Sequence, residues 1–317
     1  MSALPCRGGT GMTGSGCVVI TGASRGLGFA SAVDLYRRGW HVIAAVRTPG
    51  PALAALREAT GATPDDPRLS AMRLDVEDES SIVEAACEIE VLANGPFSVV
   101  HCAGIVSAGC VEEMPFEQVE HIFATNVFGA MRLTKALLPA MRAHGSGRIV
   151  YLSSEGAIHG MPAISAYSAS KGALERWAEA LSLEVSQFGI GVSVLIVGTF
   201  KTDMLDRGHI VSFCDEAGPY AQIHRGQARL EDQVDRLAQP PERFPPVLAR
   251  VLEHTTPFSR VAAGRDAQMM RVARWCMTDG MFQRIIRKTL SIPRPGALRH
   301  DARRLLPIRT SATVGEG

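Results

Sequence analysis

Net charge is what this chain most conspicuously lacks. Its 317 residues carry 33 Lys and Arg against 32 Asp and Glu, a formal charge of +1. Without a basic field there is no electrostatic footprint for nucleic acid. The seven cysteines are an odd number with no C-x-x-C pair, which fits neither a disulfide framework nor a zinc site. No metal is expected, and the compartment they imply is a reducing, cytoplasmic one. No apolar run reaches the roughly 18 residues that span a bilayer. Residues 1–16, rich in Gly, Ser and Thr, have no apolar signal segment and read as a flexible N-terminus. No internal repeat of fixed period is present.

What the chain does have is alternation. From Cys17 to Val197, short β-branched runs alternate with longer helical stretches, the pattern of a parallel sheet covered by helices. Strands are expected at Val18–Thr21, His41–Val46, Arg68–Leu74, Ser98–His101, Arg148–Ser153 and Val192–Val197. Their continuous apolar character suits strands buried on both faces. Helices are expected at Gly26–Arg38, Pro51–Glu58, Glu79–Leu92, Phe116–His144 and Ala166–Phe188. Beyond Thr202 the regularity fades, with one more short strand at Arg260–Ala263. Between residues 281 and 310 there are eight Arg or Lys against one Asp, so a basic extension over 281–317 is set apart from a domain spanning 17–280.

The stretch VVITGASRGLG places Gly22, Gly26 and Gly28 between the first strand and the first helix. Glycines there let the backbone turn and approach a pyrophosphate, which the free N–H groups of the helix start attract. A plain glycine turn is the bland alternative, and the strand–turn–helix setting argues against it. After the second strand comes Arg47, where dinucleotide folds often carry an acid for the ribose. With Arg25 it could grip a 2′-phosphate, which favours NADP(H) over NAD(H). Asp75, after the third strand, is placed either to accept from an adenine amino group or to cap a helix.

Tyr167 and Lys171 are four residues apart, so on a helix they share a face. A tyrosine ordinarily titrates near 10, and a neighbouring ammonium favours its phenolate. Y-x-x-x-K alone is commonplace. Ser153 and Ser154 end a strand thirteen residues earlier, at the sheet edge where open α/β folds bind ligands. Asn126 interrupts an otherwise apolar helix face, and a water held beside it could link Lys171 to solvent.

Together, TGASRGLG, Asn126, Ser154 and Y-x-A-S-K strongly resemble the classical short-chain dehydrogenase/reductase family, from about Cys17 to Met204. The resemblance implies an α/β fold, a seven-stranded doubly wound Rossmann sheet. It implies a catalytic tetrad of Asn126, Ser154, Tyr167 and Lys171. Tyr would exchange the substrate proton, Lys would bind the nicotinamide ribose, Ser would hold the substrate oxygen and Asn would complete a proton relay. The cofactor site carried over comprises Gly22, Ser24, Arg25, Gly26, Leu27, Gly28, Arg47, Asp75, Val76, Ala103, Gly104, Asn126, Tyr167, Lys171, Gly198, Phe200 and Thr202. Two motifs depart from the family pattern. His101 and Cys102 stand where two asparagines are usual, which puts local stability in doubt, and Val197 replaces a proline.

The resemblance implies a helical substrate lid over 203–260 and a helical extension after it. In the lid, Met204, Leu205, Ile210, Phe213, Tyr220 and Ile223 are candidates for an apolar pocket. The C-terminal segments look similar to the branch holding 17β-hydroxysteroid and retinol dehydrogenases. The expected activity is interconversion of an alcohol and its ketone or aldehyde on a bulky apolar substrate. A ketoreductase acting on acyl thioesters and a non-catalytic NADP(H) sensor are the alternatives. Met281, Phe282, Ile285, Ile286 and Leu290 lie among arginines, either as a solvated tail or as a peripheral membrane contact. A homodimer or homotetramer is expected through the helices at 116–144 and 166–188.

Overall fold

The computed structural model describes residues 16–202, 204 and 210–298. β1 (Cys17–Thr21), β2 (His41–Val46), β3 (Leu69–Arg73), β4 (Phe97–His101), β6 (Gly147–Ser154), β7 (Ile190–Val197) and β9 (Phe258–Ala263) form one sheet in the order β3-β2-β1-β4-β6-β7-β9. Every pairing in it is parallel. Successive side chains of a strand point to opposite faces. In β1, Val18 and Ile20 therefore join the core under α1 (Gly26–Arg37), α2 (Pro49–Thr60) and α9 (Pro245–Leu252). Cys17 and Val19 join the core under α3 (Glu79–Ala93), α5 (Ala130–His144) and α7 (Ser165–Val185). With both faces covered, continuous apolar strands are what the architecture requires.

The expected helix at 116–144 is one continuous rod with a defect. α4 (Phe116–Phe123) passes into a π-helical turn, Ala124–Gly129, before α5 resumes. Pro139 inside α5 is tolerated. The region after Thr202 is helical, as expected of the lid and extension. It holds α8 (Ala221–Leu237), α9, α10 (Arg265–Cys276), α11 (Asp279–Thr289) and β8 (Val211–Ser212), which pairs in parallel with β5 (Ser107–Ala108). The basic segment up to residue 298 is not a free tail. Leu290 is fully buried, and its carbonyl lies 2.1 Å from where a Cβ on Gly226 would stand, so α8 and the end of α11 meet at a glycine. Residues 1–15 and 299–317 lie outside the described residues.

Candidate active site

The sheet's carboxyl edge opens into a cleft of about 660 Å³. At its first wall β1 ends in Thr21, whose Oγ1 accepts from the N–H groups of Cys102 and Ala103, both at 3.0 Å. Gly22 follows with φ +67°, and a Cβ there would stand 3.0 Å from Ala103 Cα, so glycine lets the two loops touch. A Cβ on Gly28 would come within 2.5 Å of the Gly22 carbonyl, so the third glycine seats α1 against the strand. Arg25, the N-cap of α1, makes no side-chain cap, which leaves the helix's leading N–H groups open to the cleft.

Of the sequence-predicted residues, Gly22, Ser24, Arg25, Gly26, Leu27, Gly28, Arg47, Asp75, Val76, Ala103, Gly104, Tyr167, Lys171 and Thr202 line this cleft. Arg25 and Arg47 are exposed, and neither side chain has a hydrogen-bond or ion-pair partner among the described residues. Asp75 turns its carboxylate to the Glu77 N–H at 3.1 Å, and the cap of α3 is Asp78, so the capping alternative for Asp75 falls away. Asn126, Ser154, Gly198 and Phe200 do not line the cleft. Asn126 stands behind Gly104, its Oδ1 3.2 Å from a Cβ built there. Gly198 is backed by Asp266, which a Cβ would strike at 2.1 Å. Phe200 is buried edge-on against Phe244, with ring centroids 5.8 Å apart.

The π-helical turn aims Asn126 inward, where it is 1% exposed. Its Oδ1 accepts from Ile105 N at 2.8 Å, and its Nδ2 donates to Ile105 O at 2.9 Å and Ser170 Oγ at 3.1 Å. Both polar ends of the amide are thus satisfied by protein. Lys171 is buried, donates to the Leu152 carbonyl at 2.9 Å, and lies 5.8 Å from the Tyr167 ring centroid. Burial brings its ammonium down to about 8. Burial pushes the Tyr167 phenol above its ordinary value, and a hydrogen bond with Ser154 opposes the rise. In this arrangement burial sets the direction for Tyr167, and the Lys171 ammonium is engaged by the Leu152 carbonyl. Adjacent serines part company as strand geometry demands: Ser154 Oγ accepts from Gly156 N at 3.2 Å, whereas Ser153 Oγ donates to Glu175 Oε1 at 2.6 Å.

Two features escaped the sequence reading. His101 is buried, stacked on Tyr151 with centroids 4.8 Å apart, and its Nε2 lies 2.9 Å from Thr134 Oγ1. Thr134 meets the Tyr151 hydroxyl at 2.7 Å, to which Trp177 Nε1 donates at 3.2 Å. Burial lowers the His101 imidazole to about 3, so it stays neutral. This network anchors the end of β4, and Thr21 anchors the loop after it. Burial also raises the Cys102 thiol to about 12, which removes any thiolate chemistry there. The second feature is Glu155, directly after Ser154. Burial, then the neighbouring Asp266, raise its carboxyl to about 8. Asp266 in turn accepts from Thr199 N at 2.5 Å, joining α6 (Glu155–Ile158), α10 and the loop after β7. No motif marks a pair 111 residues apart in sequence.

The sequence matches the short chain dehydrogenase family over residues 16–209. The chain is a short-chain dehydrogenase. It is 38% identical over 187 residues to the oxidoreductase YusZ of Bacillus subtilis, covering 59% of this chain and 65% of that one. It is 29% identical to a 3-ketodihydrosphingosine reductase of Bacteroides thetaiotaomicron, covering 85% of this chain and 96% of the relative. Human retinol dehydrogenase 8 is 34% identical over 59% of each chain. A solved short-chain dehydrogenase from Streptomyces avermitilis superposes with a TM-score of 0.71 at 29% identity, covering 92% of this chain and 98% of the other. This short-chain dehydrogenase is thus an oxidoreductase whose family binds a nicotinamide cofactor. The cleft suits one: a helix start free of side-chain caps, two partnerless arginines at one end and a buried amine at the other. Among the described residues, no helix is long and apolar enough to cross a membrane.

Proposed function

We propose that this short-chain dehydrogenase uses NADP(H) in preference to NAD(H) to interconvert an alcohol and its ketone or aldehyde on a bulky apolar substrate of steroid, retinoid or lipid type. The observation that carries the reading is Tyr167 and Lys171 together at one end of a cleft whose other end presents Arg25 and Arg47. The nicotinamide, when bound, supplies or accepts the hydride. Tyr167 Oη gives the proton to the substrate oxygen, or takes it, and Ser154 Oγ steadies that oxygen. Lys171 would hold the cofactor ribose and, once freed from the Leu152 carbonyl, would favour the phenolate of Tyr167. Asn126 fixes the Ile105 backbone on the proton path. Arg25 and Arg47 would clasp the 2′-phosphate, Asp75 would accept from the adenine, and Val76, Ala103 and Gly104 would wall the adenosine. Thr202 lines the cleft and would meet the nicotinamide amide, with Gly198 and the Phe200 backbone behind it.

Met204 lines the cleft, which favours an apolar substrate end there. Phe213 instead packs with Met114, Ile122 and Ala166 in a separate small core, Tyr220 donates to Glu112, and Leu205 lies outside the described residues. Exposed Phe116 and Leu183, at 70% and 82%, lie on α4 and α7 and suit a homodimer through those helices. On α11, Phe282 is buried while Met281 and Ile285 remain exposed among arginines, a surface suited to peripheral membrane contact. The test is a panel of retinoid, steroid and long-chain ketones, short acids, sugars and an acetoacetyl thioester, each assayed with NADPH and with NADH. Turnover of the apolar ketones with NADPH is expected. Turnover of the thioester alone would reassign the protein to acyl chemistry, and tight NADPH binding without any turnover would make it a sensor.

A further inference from the structure

A second cluster of chemically capable side chains lies away from the cleft, where the segment after β5 meets the substrate lid. Cys110, Glu113 and His224 are 7%, 8% and 8% exposed, and one ligand atom from each lies within 4.8 Å of the others. His224 Nε2 stands 2.7 Å from Glu113 Oε2, while its Nδ1 is buried without a partner. The Glu113 carboxylate also accepts from Cys110 N at 3.2 Å and Asp215 N at 3.4 Å. Cys214 completes the picture. Ala108 pairs with Ser212, so Cys110 and Cys214 each sit two residues beyond a paired position of neighbouring parallel strands. Phe213 N donates to Ala108 O at 2.8 Å, and a Cβ on Gly109 would be 3.1 Å from Phe213, which holds the two segments together. Cys214 and Glu113 both act electrostatically on the Cys110 thiol, and both cysteines are free.

We propose that Cys110, Glu113 and His224, with Cys214 as the fourth donor, bind one zinc-class divalent cation that fixes the substrate lid to the segment ahead of α4. A buried carboxylate–imidazole pair is costly to desolvate and is usually a poor source of stability by itself. Thiols added to imidazole and carboxylate make a donor set suited to zinc, and not the all-oxygen set that magnesium or calcium takes. Binding replaces each ligating S–H bond by a sulfur–metal bond and releases that proton to solvent, with no change of oxidation state. The ligands come from three separate segments, which is why no C-x-x-C spacing announces them. The cation would tie α8, through His224, to the strand pair and to α4, which leads into the turn carrying Asn126. The hydrogen bond from Tyr220 to Glu112 crosses the same seam one helical turn away.

The experiment uses the full chain without a histidine tag, reduced, stripped with chelator and titrated with Co²⁺ as the probe. About one Co²⁺ per chain with a thiolate-to-cobalt absorption band is expected, displaced by Zn²⁺. Hydrogen exchange in α8 should slow on Zn²⁺ addition. Cys110→Ser and His224→Gln should weaken Co²⁺ binding at least tenfold while NADPH binding persists, and Cys214→Ser should lower the band's intensity. Cys87→Ser, at an exposed position, should change nothing. Absence of a saturable thiolate band in the wild-type protein would overturn the proposal without depending on any variant. So would a Cys110–Cys214 disulfide found by non-reducing peptide mapping of the isolated protein, which would make the pair a redox staple instead. NADPH turnover is read separately, so failure of the metal site and failure of the enzymatic reading are distinguishable.

Discussion

The two ends of the cleft are built on opposite electrostatic terms. At the adenosine end, Arg25 and Arg47 are exposed and partnerless among the described residues, free to meet an incoming anion. At the reacting end the ionisable groups are buried, and each is displaced from its ordinary titration: Lys171 down to about 8, Tyr167 upward, Glu155 up to about 8. On the proposed reading, exposed charges tune which cofactor binds, at modest energies, and buried ones carry the chemistry and make the fold sensitive to their protonation.

That contrast is sharpened most strongly at Lys171. Lys171→Met should lower kcat by about 10²–10⁴-fold, the usual span for lost acid–base catalysis, and should not destabilise the fold at neutral pH. The sign follows from linkage: the folded lysine releases its proton near 8, whereas the unfolded chain holds it to about 10.5. Its contribution is therefore unfavourable below 8 and is relieved as pH rises between those values. Denaturation of both proteins across that window checks the sign. At the exposed end, Arg47→Asp should raise KM for NADPH about 10- to 100-fold with KM for NADH little changed. Charge-assisted hydrogen bonds are worth about 1.5–3 kcal/mol, and steady-state kinetics with both cofactors decides it. Equal losses with both cofactors would break the comparison.

A smaller effect is expected where stability, not chemistry, is at stake. His101→Asn should cost about 1–3 kcal/mol in urea denaturation by orphaning Thr134 and unstacking Tyr151, with kcat within about twofold. A second stability effect, read from its pH dependence, is expected for Glu155→Gln. The folded carboxyl keeps its proton to about 8 while the unfolded one ionises near 4.5, so wild-type stability should fall as pH climbs between them. The glutamine variant should lack that fall, seen as a gain in Tm over wild type that grows toward pH 8.

How much of this was legible in the residues differs between the two halves of the chain. The strands from Cys17 to Val197 were readable because strands buried on both faces must be continuously apolar, and the glycine loop because its backbone conformations exclude side chains. Tyr167 and Lys171 were readable because four-residue spacing fixes a shared helix face. The helical character of the region after Thr202 was expected, but not the bounds of its helices: α8 is mostly polar, with only Ala221, His224 and Gly226 buried. His101 read as a loss because its compensation lies in Thr134 and Tyr151, one on a helix and one on the neighbouring strand. Glu155 with Asp266, and Cys110 with His224, are meetings of distant segments that no local pattern encodes.

The central claim is that Tyr167 moves the substrate proton while NADPH delivers hydride to a carbonyl carbon. Single-turnover reduction of an apolar ketone with NADPH deuterated at the transferring position, in wild type and Tyr167→Phe, tests it most directly. Deuterium at the carbinol carbon in wild type, with the step slowed about 10²-fold or more in Tyr167→Phe at unchanged NADPH affinity, is the predicted result. Deuteride transfer by Tyr167→Phe at most of the wild-type rate would contradict it.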